Sequence, residues 1–588
     1  MGGWGTFALL KWDFSFGRGR TGRQAVSAAA LATTAMVLVL AVPANAQQPS
    51  GVIQPDLRRP GPAVPAEPDF DFSIVAPHRS AVPRAVDEVH FKLTGITVAG
   101  ATTIPAESFK PLYQDLIGKD ITLANILDVA DKIEAEYRAR GYLLVRAYVP
   151  PQRVRDGVFT IHVVEGFLSN VTVQGGDRET KAQIRGYLAP AVQSHPLALE
   201  TMERGLLLTN DIPGVSATGV LRPSPDTPGA SDLVVDVAQP WIAGGFAVDN
   251  RGSRFSGIWT VQGDVEFNSI IGADQLGITV TSSPNSLEQV AGSVRYRTTL
   301  GDDGLIGSLI ASVAHGEPGS LLAVAGVLTD SYAVGPRLTY PIIRTRAETL
   351  LLDGGFTVQD ARVAIAGGGI SRDKWRVLDI GGTYQLTGVL GGTWTTTFDL
   401  AQGLPILGAS DNGTLAGPPP GVLPISRFLG ETDFTKITAY SRLALPLGDS
   451  FSTVLSVQGQ YSRSRLITGE QVTFGGTQIG RGYDPGAITG DDGIGASAEL
   501  RYDFRFTDSI VSGLEPYIYA DAAQTWYKFD ISGSLKDQNI ASVGGGVRFW
   551  LPYNVTASLE GAQTLHAVPG SDGGKTATKL LLDLSVRF

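Results

Sequence analysis

One arginine held between two glycines is the group in this sequence best placed to do specific chemistry. It lies in the run Gly480-Arg481-Gly482-Tyr483, within the glycine-rich stretch 474–502. Glycine tolerates tight turns and positive φ, so the chain can fold back here and present a single guanidinium. Alternating residues follow from Ala496, which predicts a strand, a long structured loop and a second strand. An arginine in a loop is commonly solvated, so its meaning depends on the elements around it.

The residue types on which most enzymes rely are missing or badly spaced. The sequence has no cysteine, which excludes disulfides, thiolate zinc sites and cysteine nucleophiles. Its histidines lack metal-ligand spacing: His78, His90, His162, His195, His315 and His566. A run at 570–576 that resembles a phosphate-binding loop is one residue short and precedes a strand instead of a helix. We therefore predict no catalytic residue, no metal and no cofactor, and a protein that is not an enzyme.

Length and charge narrow the class of protein further. At 588 residues the chain is too long for one ordinary core, which indicates several domains or a large barrel. Its formal net charge of −10 argues against a nucleic-acid partner. The mean hydropathy is only +0.07, and beyond the N-terminus no apolar run reaches the ~18 residues of a membrane helix. Membrane strands stay compatible with these values, because alternating residues average out in hydropathy.

The N-terminal part has the composition of an export signal followed by a linker. A basic region ending at Arg23 precedes an apolar stretch over 25–42, and Ala44-Asn45-Ala46 then supplies a small-residue cleavage site. These features predict a signal peptide over 1–46. Residues 47–87 contain eight prolines, which block a helix and favour an extended, semi-rigid tether.

Two modules of mixed helix and strand follow, over 88–166 and 167–240. In the first, apolar residues recur at three- and four-residue spacing on one face of a predicted helix over 122–140: Ile126, Ala130, Ile133 and Tyr137. The other elements predicted there are a helical piece at 107–117 and strands at 91–98, 142–149 and 158–164. The second module repeats this order more loosely, with helices at 180–188 and 199–210 and strands at 169–173, 215–221 and 233–237. A repeated supersecondary unit indicates tandem modules.

From residue 241 to residue 588, strand periodicity replaces helical periodicity. Apolar and polar residues alternate in 261–268 and again in 582–588, where the chain ends on Phe588. The polar face carries carboxylates, amides and arginines, as a water-filled lumen requires. At about 9–11 residues per membrane strand plus loops, this length fits sixteen strands, although fourteen or eighteen also fit the composition. The predicted fold is mainly β, with a C-terminal transmembrane antiparallel β-barrel.

Several short motifs resemble those of one transporter family. Tyr148-Val149-Pro150-Pro151-Gln152, with Val163-Val164-Glu165-Gly166, resembles the first POTRA domain of the TpsB transporters of two-partner secretion. Residues 210–215 resemble the second POTRA domain, and 248–257 resemble the first barrel strand and turn. The order of segments is similar to that of haemolysin secretion/activation proteins of the ShlB/FhaC/HecB type. The resemblance covers 88–588 and implies two periplasmic α+β POTRA domains before the barrel.

The same resemblance implies a role for the arginine loop. Its sequence is similar to the family's V-R-G-Y/F motif, with Gly480 in place of the usual valine, which predicts a more flexible tip. In the family this loop folds into the lumen, and its arginine meets an aspartate of an F-x-D-x-G motif on the barrel wall. The matching aspartate is Asp521. The implied site is therefore a lumen loop motif with a barrel-wall partner: Gly480, Arg481, Gly482 and Tyr483, with Asp521.

The family also implies a function and a set of partners. We expect an outer-membrane transporter that secretes, and can activate, a large β-helical exoprotein such as an adhesin or haemolysin. The periplasmic POTRA domains would bind this client in extended form, since an exposed sheet edge can pair with an unfolded chain. The other expected partners are the outer membrane and its lipopolysaccharide, around a monomeric barrel.

Two other functions are compatible with a barrel. An insertase related to BamA would assemble other barrels, but it would carry a longer array of POTRA domains than the two modules seen here. A passive porin is disfavoured because porins lack periplasmic modules.

Overall fold

The computed structural model describes residues 72–74, 90–227, 229–284, 288–506, 510–528, 537–569 and 571–588. The predicted signal peptide and all but three residues of the predicted linker lie outside these ranges. The described linker residues form one strand, β1 (Phe72–Ile74). After them the chain forms two small units of helix and sheet and one closed barrel. Within the described ranges, no helix combines the length and the apolar character needed to cross a membrane.

The first unit packs one long helix on a three-stranded sheet. Its elements are β2 (His90–Lys92), β3 (Gly95–Ala99), 3-10 helices at Ala106–Leu112 and Gln114–Leu116, β4 (Asp120–Thr122), α1 (Leu123–Ala139), β5 (Arg146–Tyr148) and β6 (Val158–Val164). The sheet order is β3-β6-β5, and β2 pairs with β4. The strand predicted over 91–98 is thus split in two, the helical piece at 107–117 is 3-10 helix, and the strand predicted over 142–149 is limited to 146–148.

Helix α1 begins and ends close to its predicted limits for local reasons. At its N-terminus, the main-chain N–H of Thr122 donates to Oδ1 of Asn125 at 3.0 Å, which satisfies a group that the helix itself leaves free. It ends before Gly141, whose φ of +87° suits glycine. The predicted apolar stripe is buried in the core: Ile126, Ala130, Ile133 and Tyr137. Full burial of one such aliphatic side chain stabilises the fold by about 1.5–3 kcal/mol.

The second unit places two helices on a sheet whose edge is occupied by β1. Its elements are β7 (Phe167–Gly175), α2 (Arg178–Gln193), α3 (Leu199–Asp211), β8 (Ser216–Pro223) and β9 (Ala230–Ala238). The sheet order is β1-β8-β9-β7, with β1 parallel to β8. The linker, predicted to be only a tether, therefore contributes a strand to this unit.

The rest of the chain forms a closed antiparallel barrel of sixteen strands, which confirms the predicted fold class. The first five are β10 (Ile242–Asp249), β11 (Thr260–Asn268), β12 (Asp274–Ser282), β13 (Gln289–Leu300) and β14 (Leu305–Gly316), followed by the short helix α4 (Leu321–Ala325). The next six are β15 (Val327–Arg344), β16 (Glu348–Ile365), β17 (Gly368–Val389), β18 (Gly392–Gly403), β19 (Thr435–Pro446) and β20 (Phe451–Ser462). A 3-10 turn (Thr468–Glu470) and two short strands, β21 (Val472–Phe474) and β22 (Ile488–Gly490), then precede the last barrel strands. These are β23 (Asp492–Tyr502) with its extension β24 (Phe504–Arg505), β25 (Gly513–Trp526), β26 (Asp537–Leu551), β27 (Val555–Thr564) and β28 (Thr578–Arg587).

The barrel closes by pairing its first and last strands. β10 and β28 run antiparallel from the pair Gly245–Arg587 to the pair Asp249–Asp583. Side chains alternate between the lumen and the outer face, as the period of two requires. On β25, Ile518 is 63% exposed on the outer face, whereas Asp521 on the lumen side is 5% exposed.

The second unit is attached to one end of the barrel, which we call the near end. Asp211, the last residue of α3, accepts two hydrogen bonds of 2.8 Å from the guanidinium of Arg344 at the end of β15. Arg344 is only 4% exposed. In α2, the side-chain amide of Gln183 donates to the carbonyl oxygen of Gly301 at 2.7 Å. Asp211, within the run 210–215 singled out in the sequence, thus joins the second unit to the barrel, whereas Asn210 bonds to Leu206 and Ala217 inside the unit.

Candidate functional site

The loop between β20 and β23 folds back into the barrel from its far end. Residues 463–491 form this returning loop, and β21 and β22 pair within it. Its apolar side chains are buried together with residues of the surrounding strands and loops: Val472, Phe474, Ile479, Tyr483, Ala487 and Ile488, with Ala523, Ile540 and Val568. Glycine on the wall leaves room for the loop, since a Cβ on Gly495 would lie 2.6 Å from the Phe474 ring. The order of strand, structured loop and strand agrees with the sequence prediction.

Arg481, at the tip of the returning loop, lies among carboxylates of the lumen wall. Its Nη1 donates to Oε2 of Glu499 at 2.7 Å and lies 3.5 Å from Oε2 of Glu560. Its guanidinium carbon lies 3.4 Å from the centre of the Tyr519 ring, a cation–π contact. The side chain is 8% exposed. A buried cation requires such partners, because removal from water is costly unless opposite charge and hydrogen bonds replace the lost hydration.

Asp521 contacts the loop mainly through the main chain. Its Oδ2 accepts a hydrogen bond of 3.0 Å from the main-chain N–H of Arg481 and lies 3.9 Å from Nε of the same residue. Its other oxygen accepts from the hydroxyl of Ser542, which itself accepts from the N–H of Gly482 at 3.2 Å. The expected guanidinium–Asp521 pair is therefore long. Asp521 positions the loop backbone, while Glu499 accepts the short bond from the guanidinium.

The residues on either side of Arg481 are closely packed. Gly480 has a φ of +83°, and a Cβ there would lie 2.5 Å from Cδ1 of Ile540, so another residue would be strained and would displace Ile540. Glycine thus provides a positive φ and close packing at this tip, and the flexibility expected there stays a prediction. The Tyr483 hydroxyl donates to the carbonyl oxygen of Ala541 at 2.8 Å and accepts from the N–H of His566 at 3.0 Å. These contacts immobilise the tip on both sides of the arginine.

The base of the returning loop is held by a second buried ion pair. Asp491 is 0% exposed and binds both terminal nitrogens of Arg427, with Nη2–Oδ2 at 2.9 Å. It also accepts from the main-chain N–H groups of Leu466 at 2.8 Å and Lys528 at 2.9 Å. Arg427 belongs to the loop between β18 and β19. One carboxylate therefore joins three far-end loops: its own, the β18–β19 loop and the β25–β26 loop.

Several groups that hold the loop are absent from the residues predicted from sequence. Glu499, Glu560 and Ser542 contact the tip region, and all three lie on the lumen side of alternating strands. Strand alternation therefore predicts that they face the lumen, although it does not reveal their partner. Arg427 and Asp491 are 64 residues apart in the chain, and no local pattern links them.

The arrangement can hold or release a loop by exchanging hydrogen bonds and ion pairs. Nε of Arg481 has no hydrogen-bond partner within the described part of the chain. One N–H donor of the guanidinium is therefore unsatisfied. Among the described residues, no group of three or more His, Cys, Asp or Glu side chains is arranged to hold a metal ion. The chemistry of the site is thus electrostatic positioning.

Comparison with protein families identifies the chain. A POTRA domain of the ShlB type matches residues 91–166, within the first unit. The haemolysin secretion/activation protein family ShlB/FhaC/HecB matches residues 229–549, more than half of the chain. The chain belongs to the ShlB/FhaC/HecB family. The resemblance inferred from short motifs is therefore confirmed.

Curated ShlB/FhaC/HecB-like relatives are distant in sequence but cover most of the chain. The heme/hemopexin transporter protein HuxB of Haemophilus influenzae (strain 86-028NP) is 21% identical, over 87% of this chain and 90% of its own. The hemolysin transporter protein HpmB of Proteus mirabilis is 22% identical, over 84% and 86%. The outer membrane transporter CdiB of Escherichia coli O6:K15:H31 is 25% identical, over 68% and 67%. All three names describe transporters.

Solved structures support the same architecture. CdiB from Escherichia coli is similar with a TM-score of 0.66 at 19% identity, over 97% of this chain and 100% of that chain. BamA from Haemophilus ducreyi lacking POTRA domains 1–3 is similar with a TM-score of 0.51 at 12% identity, over 85% and 100%. Likeness at such identities shows the fold alone. The BamA-like alternative has this shared fold in its favour but no family match.

Membership of the ShlB/FhaC/HecB family sets the orientation of the molecule. It is an outer-membrane transporter of two-partner secretion with its POTRA region in the periplasm, as predicted. The near end of the barrel, which contacts the second unit, is therefore the periplasmic end. The far end lies at the cell surface, and the returning loop enters the lumen from that side.

Proposed function

We propose that this transporter secretes one large β-helical exoprotein, of the adhesin or haemolysin class, as an extended chain through its lumen. The family and the name of the hemolysin transporter HpmB support this client class. The observation that carries the proposal is the returning loop, whose tip is held inside the lumen by Glu499 and Asp521. These contacts can be broken and reformed without covalent chemistry, so the loop can leave the path of a client and return.

The proposed domain organisation follows the sequence motifs. It assigns a signal peptide to 1–46, a linker to 47–87, POTRA domains to 88–166 and 167–240, and the barrel to 241–588. The assignment of 167–240 as the second POTRA domain is supported by two observations. Helices α2 and α3 pack on a mixed sheet, and this unit is attached to near-end turns of the barrel. We propose a monomeric barrel, in which one chain encloses its own lumen by pairing its first and last strands.

Capture of the client in extended form is supported by strand β1. Its residues pair in parallel with Gly219, Val220 and Leu221 of β8. The β8 edge thus accepts an extended segment, and the segment now bound there is only three residues long. A client strand that replaced β1 would form the same main-chain hydrogen bonds whatever its side chains. We assign the β8 edge as the capture edge.

Release of the loop tip is supported by the surroundings of Glu499. This carboxylate contacts Arg501 at 2.6 Å and Arg548 at 2.9 Å as well as Arg481. If Arg481 leaves with the loop, Glu499 keeps two cationic partners and is not left as an unpaired buried charge. The energetic cost of moving the tip is lowered accordingly.

Secretion by point variants tests this function. The client is defined as the large exoprotein that disappears from the culture medium when the gene is deleted. Arg481→Ala and Asp521→Ala transporters are compared with an Arg505→Ala control, whose side chain is 70% exposed at the near end. Heat-modifiable gel mobility reports whether each barrel folds. We expect folded barrels in all three variants, loss of client export in the first two, and normal export in the control.

Two outcomes would contradict the proposal. Normal export by both folded loop variants would remove Arg481 and Asp521 from the mechanism. A deletion strain with an unchanged medium but many depleted outer-membrane proteins would favour the BamA-like function.

A further inference from the structure

Three cations lie together on the outer face of the barrel toward its cell-surface end. Arg362 of β16 lies directly opposite Arg372 of β17 in the strand ladder, and Lys374 follows two residues further along β17. The same face of β17 carries Leu378 and Ile380, each 52% exposed on the outside of the barrel. Strand alternation therefore directs the three cations away from the lumen. We call Arg362, Arg372 and Lys374 the basic patch.

One member of the basic patch is paired with a carboxylate. Nε of Arg372 donates to Oδ1 of Asp360 at 3.0 Å, and Arg372 stays 43% exposed while Asp360 is 6% exposed. Within the described ranges, neither Arg362 nor Lys374 forms an ion pair. Like charges directly opposite each other destabilise a sheet. An anion from outside the chain would therefore stabilise this part of the barrel.

Besides Asp360 within the patch, two acidic side chains lie on its β14 and β15 side. Asp330 of β15 lies opposite Arg362 in the ladder, but its carboxylate lies 2.7 Å from Nδ1 of His315. Glu317 lies 3.4 Å from Nε2 of the same histidine. These two carboxylates share one histidine and leave the cations on β16 and β17 open to solvent.

The patch lies near the cell-surface end of strands β15 to β17, beyond the apolar pair Val334 and Val358. Val334 and Val358 are opposite each other on this face, and the exposed Ile370 lies beyond the patch toward the cell surface. Two rows follow toward the cell surface, first Tyr332, Asp360 and Lys374, then Asp330, Arg362 and Arg372. The two rows lie about 7 and 13 Å further along the strands. Tyr332, 45% exposed, is of the residue type enriched where a barrel leaves the acyl chains.

We propose that the basic patch binds the phosphorylated sugar headgroup of the outer-leaflet glycolipid, lipopolysaccharide. A guanidinium binds phosphate through two parallel hydrogen bonds, and lysine adds a compact charge. Cations in two rows at different heights match phosphates carried on linked sugars, whereas the single phosphate of a phospholipid would reach one row. The sequence predicted lipopolysaccharide as a partner without a site, and the patch supplies one.

The test uses the full-length transporter, purified in detergent, and native mass spectrometry of bound lipid. The probes are bisphosphorylated lipid A, the same lipid without phosphates, and phosphatidylglycerol. The variant Arg362→Ala/Lys374→Ala removes the two unpaired cations and keeps the Arg372–Asp360 pair. Arg505→Ala, at the opposite end of the barrel, is the matched control. Heat-modifiable mobility verifies the fold of each protein.

The expected result is preferential binding of bisphosphorylated lipid A by the unchanged transporter and by the control. In the double variant, we expect that affinity to fall by about ten-fold, the effect of losing two partly exposed charge contacts. Equal binding by the double variant and the unchanged protein would overturn the proposal. So would equal binding of the phosphate-free lipid, or of phosphatidylglycerol, because either would remove the need for two phosphates on a sugar headgroup.

Discussion

The first POTRA domain and the barrel lumen have interiors of opposite chemistry. In the POTRA domain, helix α1 buries Ile126, Ile133 and Tyr137 completely against an apolar sheet face. In the barrel, the returning loop is anchored by Arg481 and Asp491, which are 8% and 0% exposed. The POTRA core is built mainly from hydrocarbon, whereas the returning loop combines an apolar cluster with buried paired charges.

The difference indicates what each interior is for. Apolar packing is non-directional and summed over many contacts, so it stabilises a fold without one decisive partner. An ion pair in a lumen is directional, and its net contribution depends on keeping both partners. A permanent domain is suited to the first kind of interior. A loop that must be held in one position and then moved is suited to the second.

The largest effect is expected from Asp491→Ala at the base of the returning loop. This change leaves the Arg427 guanidinium buried without its carboxylate, which costs about 3–5 kcal/mol. The loop should open locally, and hydrogen exchange across 463–491, followed by mass spectrometry, should rise sharply. Asp491→Asn keeps one acceptor oxygen but replaces the other with a donor and removes the charge, so hydrogen exchange should rise, though less than in the alanine variant. Unchanged exchange in Asp491→Ala would contradict the view that one carboxylate holds the three far-end loops together.

A graded response is expected in the apolar interior. Ile133→Val removes one methylene group from the core of the POTRA domain and should cost about 1 kcal/mol, and Ile133→Ala about 3 kcal/mol. The measurement is the urea midpoint for loss of hydrogen-exchange protection in α1. The valine variant could instead lower the urea midpoint as much as the alanine variant. The proposed contrast between a graded apolar core and an all-or-none ion pair would then be wrong.

A smaller, pH-dependent effect is expected at Glu165, the carboxylate of the Val163–Gly166 motif. It connects Tyr137 of the core to the loop that contains Thr102 and Thr103. It accepts from the Tyr137 hydroxyl at 2.6 Å and from the N–H groups of Thr102 and Thr103 at 2.9 and 2.8 Å. Burial raises the pKa of Glu165, but the hydrogen bonds outweigh burial and lower the pKa from 4.5 to about 2. Because the folded-state pKa is the lower one, this stabilisation is present above about pH 4.5 and is lost as the pH falls toward about 2.

Glu165→Gln should therefore destabilise the domain near neutral pH, by about 1 kcal/mol for weakened hydrogen bonds. The difference from the unchanged protein should shrink as the pH falls below about 4.5. Urea midpoints for residues 91–166, followed by hydrogen exchange at several pH values, measure both effects. A difference that grew at low pH would mean that the sign of this linkage is reversed.

The smallest effect is expected from Asp128→Asn on the exposed face of α1. Nζ of Lys132 lies 2.8 Å from Oδ2 of Asp128, and the two side chains are 51% and 60% exposed. Exposed pairs of this kind contribute only about 0.3–0.5 kcal/mol. A change of urea midpoint comparable to that of Ile133→Ala would show that surface charge, and not packing, governs this domain.

Much of the fold is predictable from local sequence. The capping residues and apolar spacing of α1 predict its limits to within a residue, because a helix is specified by neighbours three and four positions apart. Alternation predicts the barrel and which side chains face the lumen. The motif around Arg481 predicts a loop held inside the barrel. Where the local signal is weak, as for the short strands at 90–99 and 146–148, the predicted limits are less accurate.

The partners of the buried charges are not predictable in this way. The chain brings Arg427 to Asp491 and β1 to β8 over long separations, and Glu499 in place of Asp521 takes the short bond to Arg481. Such pairings depend on the stagger between strands, which tilt and closure of the barrel determine together. A shift of one residue in one strand would exchange lumen and membrane faces.

Composition and periodicity therefore predicted a barrel, and the resemblance of short motifs to one family predicted an outer-membrane transporter with a lumen loop. Each of these signals is local, as are the helical and strand periods on which they rest. The identity of each ion pair, the strand added to the second unit and the basic patch on the outer wall arise only when distant strands are brought into register. Tertiary structure decided them, because a contact between remote residues is set by the closure of the whole barrel and not by any neighbouring residue.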